Sequence, residues 1–495
     1  MNNSKYIPDE PIAAIATALS PAALAIVRTS GSDCISLVSR VFSRPKALLD
    51  SKGNTIVYGW ILDRGEKIDE VLISVFREPK SFTGEEMAEI SCHGGGTSAK
   101  RILETLLKNG FRLSQKGEFT FRAFLHGKTD LTRAEAIREI IDSKTEVSRS
   151  RAAFRLSGSL FDTIHAVRAL LIETLADIEA EIEYPEDENA IADSFEPEKI
   201  DRAIKTLECL ESSWKTEKIY QDGVRVVLCG RANAGKSSLF NALLKEERAI
   251  VSEKAGTTRD FLESEVDFGG IPARLFDTAG LRDEIDGSET IDEIEQRGIA
   301  LSHSLMNKAD VILYLVDSTS GATDEDVAFL RSFFEKNKTP QSVRDEIFVA
   351  LEKNTDELSF IEHQENQSEI PLFLVLTKSD ISKKEASRSE KSKNVFFVSS
   401  KTLDGIFELE EGVGATLISL KGGEGRVSLG SERQRLCVKD ALERLYHAKS
   451  SPKEFGLDAT VQDLEDALDS LSDVIGETTA EDVLESVFSR FCVGK

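Results

Sequence analysis

The apolar run Val224-Arg225-Val226-Val227-Leu228-Cys229 passes directly into Gly230-Arg231-Ala232-Asn233-Ala234-Gly235-Lys236-Ser237 and then into SSLFNALL. No other stretch restricts the fold of its surroundings so strongly. The first run reads as a buried strand and the last as a helix, and between them the spacing is GxxxxGK[ST]. Strand, glycine loop and helix in that order form a P-loop, in which backbone N–H groups converge on phosphate oxygens at a helix N-terminus. Asn233, Ala234, Gly235, Lys236, Ser237 and Ser238 make up this phosphate-binding set. Lys236 is the residue to reach the β- and γ-phosphates, and the Ser237 hydroxyl the one to bind Mg²⁺.

Four more apolar runs end in polar clusters. ARLF precedes Asp277-Thr278-Ala279-Gly280, VILYLV precedes Asp317, PLFLVL precedes Thr377-Lys378-Ser379-Asp380, and NVFFV leads into Ser399-Ser400-Lys401. Each cluster falls at the carboxyl end of an expected strand, the edge where open α/β sheets bind ligands. The order P-loop, DTAG, TKxD, SSK points to GTP rather than ATP. A carboxylate at Asp380 accepts from the guanine N1–H and 2-amino group, whereas adenine offers neither donor there. The Lys378 stem covers the base face, and the Ser399–Lys401 turn leaves a backbone N–H for guanine O6. Thr377 stands where guanine-specific proteins usually carry Asn, so weaker base affinity is expected. Between P-loop and DTAG lies a switch-type loop, Ser252, Glu253, Lys254, Ala255, Gly256, Thr257 and Thr258, with Thr258 completing the Mg²⁺ shell.

Around this block the sequence changes character twice. Residues 1–127 read as mixed α/β, with strands in AALAIVRTSG and KIDEVLISVF and a helix in AKRILETLLKNGF ended by Gly110. Residues 128–221 are helical in period up to Tyr184-Pro185, followed by the acidic loop EDENAIADSFEPE. Residues 222–420 alternate strand and helix, the pattern of a doubly wound parallel sheet. Inside that block, 323–369 reads as a polar insertion and SKKEASRSEKSKN as a charged loop. Residues 421–495 are helical again. The expected fold class is an α/β and α multidomain chain in which one discontinuous helical domain carries an inserted α/β block. The length of 495 residues fits about three domains.

Composition narrows the partners. The 62 basic and 87 acidic residues leave a formal net charge of −25, which argues against gripping nucleic acid by bulk charge but leaves room for a local basic patch. No run approaches the ~20 apolar residues of a membrane helix. The N-terminus lacks a basic stretch ahead of an apolar core, so the expectation is no signal peptide, no membrane and a cytoplasmic location. Six scattered cysteines without a CxxC fit reduced thiols.

The whole chain resembles the MnmE/TrmE family of tRNA modification GTPases. The motifs that carry this are IAAIAT, AIVRTSG, SFTGEEMAEISCHGG, GEFTFRAFLHGKTDLTRAEAI, GRANAGKSSLFNALL, AGTTRD, DTAGLR and the closing FCVGK. The resemblance implies an N-terminal folate-binding and dimerisation domain, a helical domain and a Ras-like G domain inserted into it. It implies a homodimer that works with MnmG, an FAD and NADH protein. The pair would add an aminomethyl or carboxymethylaminomethyl group to C5 of the wobble uridine of tRNA, using methylene-tetrahydrofolate. The FAD belongs on the partner. The alternative is an Era- or EngA-like switch in ribosome assembly, although such proteins usually carry basic RNA-binding domains.

Residue by residue, the resemblance assigns a folate pocket to Arg28, Glu89, Lys128 and Lys495. It assigns a K⁺ site beside the phosphates to Asn233, Ser252, Lys254 and Thr257, in place of an arginine finger. Glu295 matches the glutamate that orients the attacking water, and Cys492 becomes a candidate nucleophile or acid/base. Taken alone, the four folate residues read as surface charges, Glu295 as an exposed helix carboxylate and Cys492 as an idle thiol on a frayed tail. The sequence departs from the family at ALSPAAL, which lacks the usual glycines before Arg28, at Ala232 in place of Pro, and at TKSD, SSK and Val493.

Overall fold

The computed structural model describes residues 10–183, 197–244, 263–277, 306–351, 370–381, 392–421, 427–454 and 457–495. Contacts divide the chain into two units. One comprises Met1–Arg138, Ala153–Glu208 and Gly430–Lys495; the other comprises Glu139–Ala152 and Cys209–Leu429.

The first unit contains a six-stranded sheet of β1 (Ile12–Ile15), β2 (Leu24–Ser30), β3 (Thr55–Asp63), β4 (Glu66–Phe76), β5 (Met87–His93) and β6 (Arg112–Leu113), in the order β3-β4-β5-β2-β1-β6. All pairings are antiparallel except β1 with β6. Period-2 alternation sends Val27, Ile73, Val75 and Ile90 to one face, where Ile102 and Leu106 of the helix Gly96–Lys108 cover them. Ile12, Ala14 and Met87 face the other way and pack with Phe119 of the helix Glu118–Leu125. The same unit holds helices Glu432–Glu454, Leu457–Ile475 and Glu481–Phe488.

The second unit is built on β7 (Val224–Gly230), β8 (Glu263–Phe268), β9 (Ile271–Asp277), β10 (Val311–Asp317), β11 (Leu372–Thr377) and β12 (Val395–Phe397). Their order is β12-β11-β10-β7-β9-β8, parallel except for the β8–β9 hairpin. Successive residues of β7 point to opposite faces and both are buried. Val226 and Leu228 join the core with the helices Lys236–Leu243 and Ile406–Lys421, while Val227 and Cys229 join the core on the far side. Burial on both faces is why these strands read as continuous apolar runs.

The structure departs from the sequence expectation after Thr323. The segment from Thr323 reads as a polar insertion, yet its first part forms the helices Asp324–Lys336 and Gln341–Ala350, whose Leu330, Phe334, Ile347 and Phe348 are buried against the sheet. Their polar residues occupy the outer faces, and the Thr323–Asp326 capping box starts the first helix. The remainder, 352–369, the charged stretch 382–391 and the acidic loop 184–196 lie outside the described residues.

Candidate functional site

The chain leaves β7 at a switch point, since β9 and β10 flank β7 on opposite sides. The P-loop therefore opens at the carboxyl edge of the sheet. Gly230 has φ +137°, and a Cβ there would come within 2.4 Å of the Leu315 carbonyl oxygen, so no side chain fits. The Lys236 ammonium is buried and donates to the carbonyls of Gly230 and Arg231, at 2.7 Å each. It is thus held over the loop's own acceptors, in the position from which it can turn to phosphate oxygens. The Ser237 hydroxyl donates to Asp277 Oδ2 at 2.9 Å. A hydroxyl and a buried carboxylate at that distance form an oxygen donor pair suited to a hard divalent cation.

The residues expected from the sequence to recognise the base converge on the same edge. The Thr377 hydroxyl is buried and donates to the Ala234 carbonyl at 2.8 Å, tying the TKSD segment to the P-loop. Lys378, at φ +59°, directs its ammonium to Asp317 Oδ2 at 2.6 Å. Burial raises the Asp317 pKa, but the hydrogen bonds from Lys378 and Thr319 outweigh it and hold the carboxyl below its ordinary range. Asp380 is exposed, and its Oδ1 accepts from the Ser399 hydroxyl at 2.9 Å. That bond fixes the carboxylate while leaving its other oxygen to a ligand. Ser400 and the exposed Lys401 follow in the same turn. Asn233, at φ +64°, and Ser238 are exposed on the loop and the first helical turn. Ser252, Glu253, Lys254, Ala255, Gly256, Thr257, Thr258, Thr278, Ala279, Gly280 and Glu295 lie outside the described residues.

A second cluster assembles in the first unit from opposite ends of the chain. Arg28 on β2 stands directly opposite Glu89 on β5, and their side chains meet at 2.7 and 2.9 Å. Arg28 Nη1 also donates to the Gly494 carbonyl at 3.1 Å. Lys495 is close behind. Burial and the Arg28 charge lower its pKa, while Cys492 and Glu89 act in the opposite sense. The guanidinium carbon of Arg28 lies 5.5 Å from the ring centre of Phe82 and 5.7 Å from that of Phe119. The Ser81 hydroxyl, next to Phe82, is buried with no hydrogen-bond partner among the described residues. Lys128 is exposed and gives its hydrogen bond to the Pro79 carbonyl at 2.9 Å, so it is not tied to the other three. The tail is not frayed. Gly117 N–H donates to the Cys492 carbonyl, Phe119 N–H donates to the Lys495 carbonyl, and Val493 bridges to Lys116. Cys492 itself is an exposed free thiol.

A family model described as the MnmE helical domain matches residues 131–492, and another, the GTP-binding protein TrmE N-terminus, matches residues 11–128. The tRNA modification GTPase MnmE of Treponema denticola is 46% identical, with both chains covered in full. That of Treponema pallidum is 40% identical, again with both chains covered in full. The chain belongs to the MnmE family of tRNA modification GTPases. It is accordingly a GTP hydrolase with a P-loop G domain. Among solved structures, the G domain of the T. maritima FeoB iron transporter aligns over 39% of this chain and 97% of its own at 26% identity and a TM-score of 0.22, too low to establish a shared fold.

Sequence reasoning missed the buried charges behind the second cluster. In the family motif GEFTFRAF, Glu118 and Arg122 are almost completely buried. Arg122 donates to both oxygens of Glu85 at 3.0 Å and to Glu118 Oε1 at 2.9 Å, and Arg112 holds Glu118 from the other side at 2.5 and 2.8 Å. Burial raises the Glu118 pKa, but the Arg112 and Gln115 hydrogen bonds and the Arg122 charge outweigh it, leaving the pKa below its ordinary value. A second knot joins Glu135 of LTRAEA to Arg433 at 2.9 Å and to the Ser431 hydroxyl at 3.1 Å. The i, i+4 spacing of Glu118 and Arg122 was readable, but their burial was not.

Proposed function

We propose that this MnmE-family chain is the GTP-hydrolysing, folate-binding subunit of a cytoplasmic complex that modifies C5 of the tRNA wobble uridine. In this reading it works as a homodimer with an FAD-carrying MnmG partner. The observation that carries the GTPase part is the shared carboxyl edge, where Lys236, the Ser237–Asp277 pair and the Thr377–Ala234 tie meet. Lys236 neutralises phosphate charge, Asp380 accepts from guanine, and Ser237 with Thr258 holds Mg²⁺. Asn233 and the 252–257 loop hold K⁺, which supplies positive charge at the phosphates in place of an arginine, and Glu295 orients the water. The domain bounds that go with this reading are 1–127, 128–221, 222–420 and 421–495.

The folate half of the reading is supported by Arg28, Glu89 and Lys495, which offer an acceptor for pterin N–H groups and cations for a carboxylate tail. The Ser81 hydroxyl, buried and unpartnered among the described residues, is next in sequence to Phe82, whose ring lies beside Arg28. Bound methylene-tetrahydrofolate would supply the one-carbon unit. The family resemblance adds Lys128 to this site and makes the exposed Cys492 thiol the candidate nucleophile or acid/base. Dimerisation is assigned to the first unit, where Ile56, Tyr58 and Leu72 expose an apolar patch on the edge strand β3 and its neighbour β4. The ribosome-assembly reading is not favoured, because the family models match on both sides of the G domain.

The test is GTP turnover of the purified chain in K⁺ against Na⁺ at equal ionic strength with Mg²⁺ present. A selective rise in K⁺, lost in Asn233→Ala, is expected. Equal rates in the two salts would overturn the potassium assignment. The Glu295→Ala variant should keep nucleotide binding and lose turnover.

A further inference from the structure

At the edge of the second unit's sheet opposite the P-loop, a cavity of about 550 Å³ is lined by five cations: Lys144, Lys215, Lys218, Arg225 and Arg274. Such a concentration is unexpected in a chain with a net charge of −25. β7 runs from this cavity at Val224 to the P-loop at Gly230, so the cavity lies a strand's length, roughly 20 Å, from the phosphate site.

Local structure brings the cations together. Lys215 and Lys218 are three apart on the helix Pro197–Asp222, which places them on one face, and both are exposed. Arg225 on β7 and Arg274 on β9 are direct cross-strand partners, and both are exposed. Like charges directly opposite each other disfavour pairing, and no packing requirement at these exposed positions calls for arginine. The local carboxylates only partly offset the charge. Glu265, opposite Arg274, is ion-paired to Lys144. Asp310 accepts the Arg225 backbone N–H at 2.9 Å, and Asp222 is exposed on the rim.

We propose that this cavity seats backbone phosphates of the tRNA substrate. The proposal rests on the reading of tRNA as substrate given above. Lysine and arginine side chains without an aromatic stacking platform suit phosphates rather than bases, so the contact positions the RNA without reading its sequence. A focused site of this kind reconciles RNA contact with the acidic surface as a whole, because each phosphate neutralised releases its own counterions.

The experiment measures tRNA binding by the full-length protein over a salt series, comparing wild type with K215E/K218E/R225E and with the milder K215Q/K218Q. The triple variant should lose at least about tenfold in affinity at low salt. Its log K against log salt slope should become shallower by roughly 2, the expectation for two to three lost phosphate contacts. The neutral variant should fall between, and GTP turnover without tRNA, which reports folding, should match wild type. Unchanged affinity and slope in either variant with intact turnover would overturn the proposal. So would loss of inorganic tripolyphosphate binding with tRNA binding retained, which would assign the cavity to a small anion. No tRNA binding by the wild-type chain would also overturn it. The substrate reading is tested separately, by wobble-uridine modification in cells lacking the chain.

Discussion

In the second unit the parallel strands are mostly apolar, interrupted by the exposed Arg225 of β7 and Arg274 of β9, and the charged groups of the nucleotide edge stand at or just beyond the carboxyl ends. In the first unit the charges are folded inside. Lys378 and Asp317 meet at a surface, whereas Arg122, Glu118 and Glu85 meet where water is nearly absent. A loop placed by rigid strands can carry polar groups that exchange internal partners for a ligand's. A buried ion network cannot exchange partners cheaply, because removing one member leaves the others charged and unsolvated. The exposed edge can therefore exchange its internal partners for a ligand's at little cost, whereas the buried network fixes a shape.

Substitution at Lys236 should give the largest effect. It replaces the cation that two loop carbonyls hold in readiness. Lys236→Ala should lower GTP turnover by about 10³-fold or more, since electrostatic stabilisation is the main contribution to phosphoryl transfer. The unfolding midpoint should move much less, because Gly230 at the end of β7 is only half-buried and Arg231 is exposed, so water can replace the ammonium at their carbonyls. Turnover is read by phosphate release and stability by denaturant titration. A variant that lost stability in step with activity would break the distinction between the two regions.

Next in size is the buried network. Arg122→Met roughly keeps volume, takes the guanidinium away from the buried Glu85 and leaves Glu118 to Arg112 alone, at a cost of about 3–5 kcal/mol. The pH dependence has a definite sign. The Glu118 pKa is depressed in the folded protein, so its stabilisation is fully present above its ordinary value of 4.5 and is lost as pH falls through the folded value. Denaturant midpoints should therefore drop on acidification below about pH 4.5, and Glu118→Gln should flatten that slope while lowering stability near neutrality. An unaltered slope would remove Glu118 from the account.

The same contrast explains what was readable in the sequence. β7, β11 and β12 announce themselves as apolar runs, and the P-loop, TKSD and SSK follow them at once, so local order along the chain reproduced the nucleotide edge. The cluster around Arg28 joins positions 466 residues apart through the Gly494 carbonyl, and no periodicity reports such a closure; only the family motifs pointed there. Gly117 shows how local the missing information was. It has φ +70°, and a Cβ there would fall 2.4 Å from the Phe488 carbonyl oxygen, so glycine lets the C-terminal segment lie against GEFTFRAF. In the sequence it is one glycine among 32. The helices after Thr323 escape a reading by average hydropathy because helix faces that cover a sheet keep their outer residues polar. That lowers the average without removing the buried stripe.

The smallest effect sharpens the comparison at one hydroxyl. By sequence, Thr377 should weaken base recognition relative to Asn. The structure gives its hydroxyl a different job, a 2.8 Å bond to the Ala234 carbonyl that joins the TKSD segment to the P-loop. Thr377→Val keeps the shape and removes that donor. One neutral hydrogen bond is worth about 1 kcal/mol, so guanine nucleotide affinity should weaken about fivefold. Discrimination against adenine nucleotides should be preserved, because Asp380 keeps its bond from Ser399. Binding of labelled GDP and ADP to both proteins measures this directly. If selectivity fell along with affinity, Thr377 would be orienting Asp380 as well as the loop, and the base site and phosphate site would have to be treated as one mechanical unit.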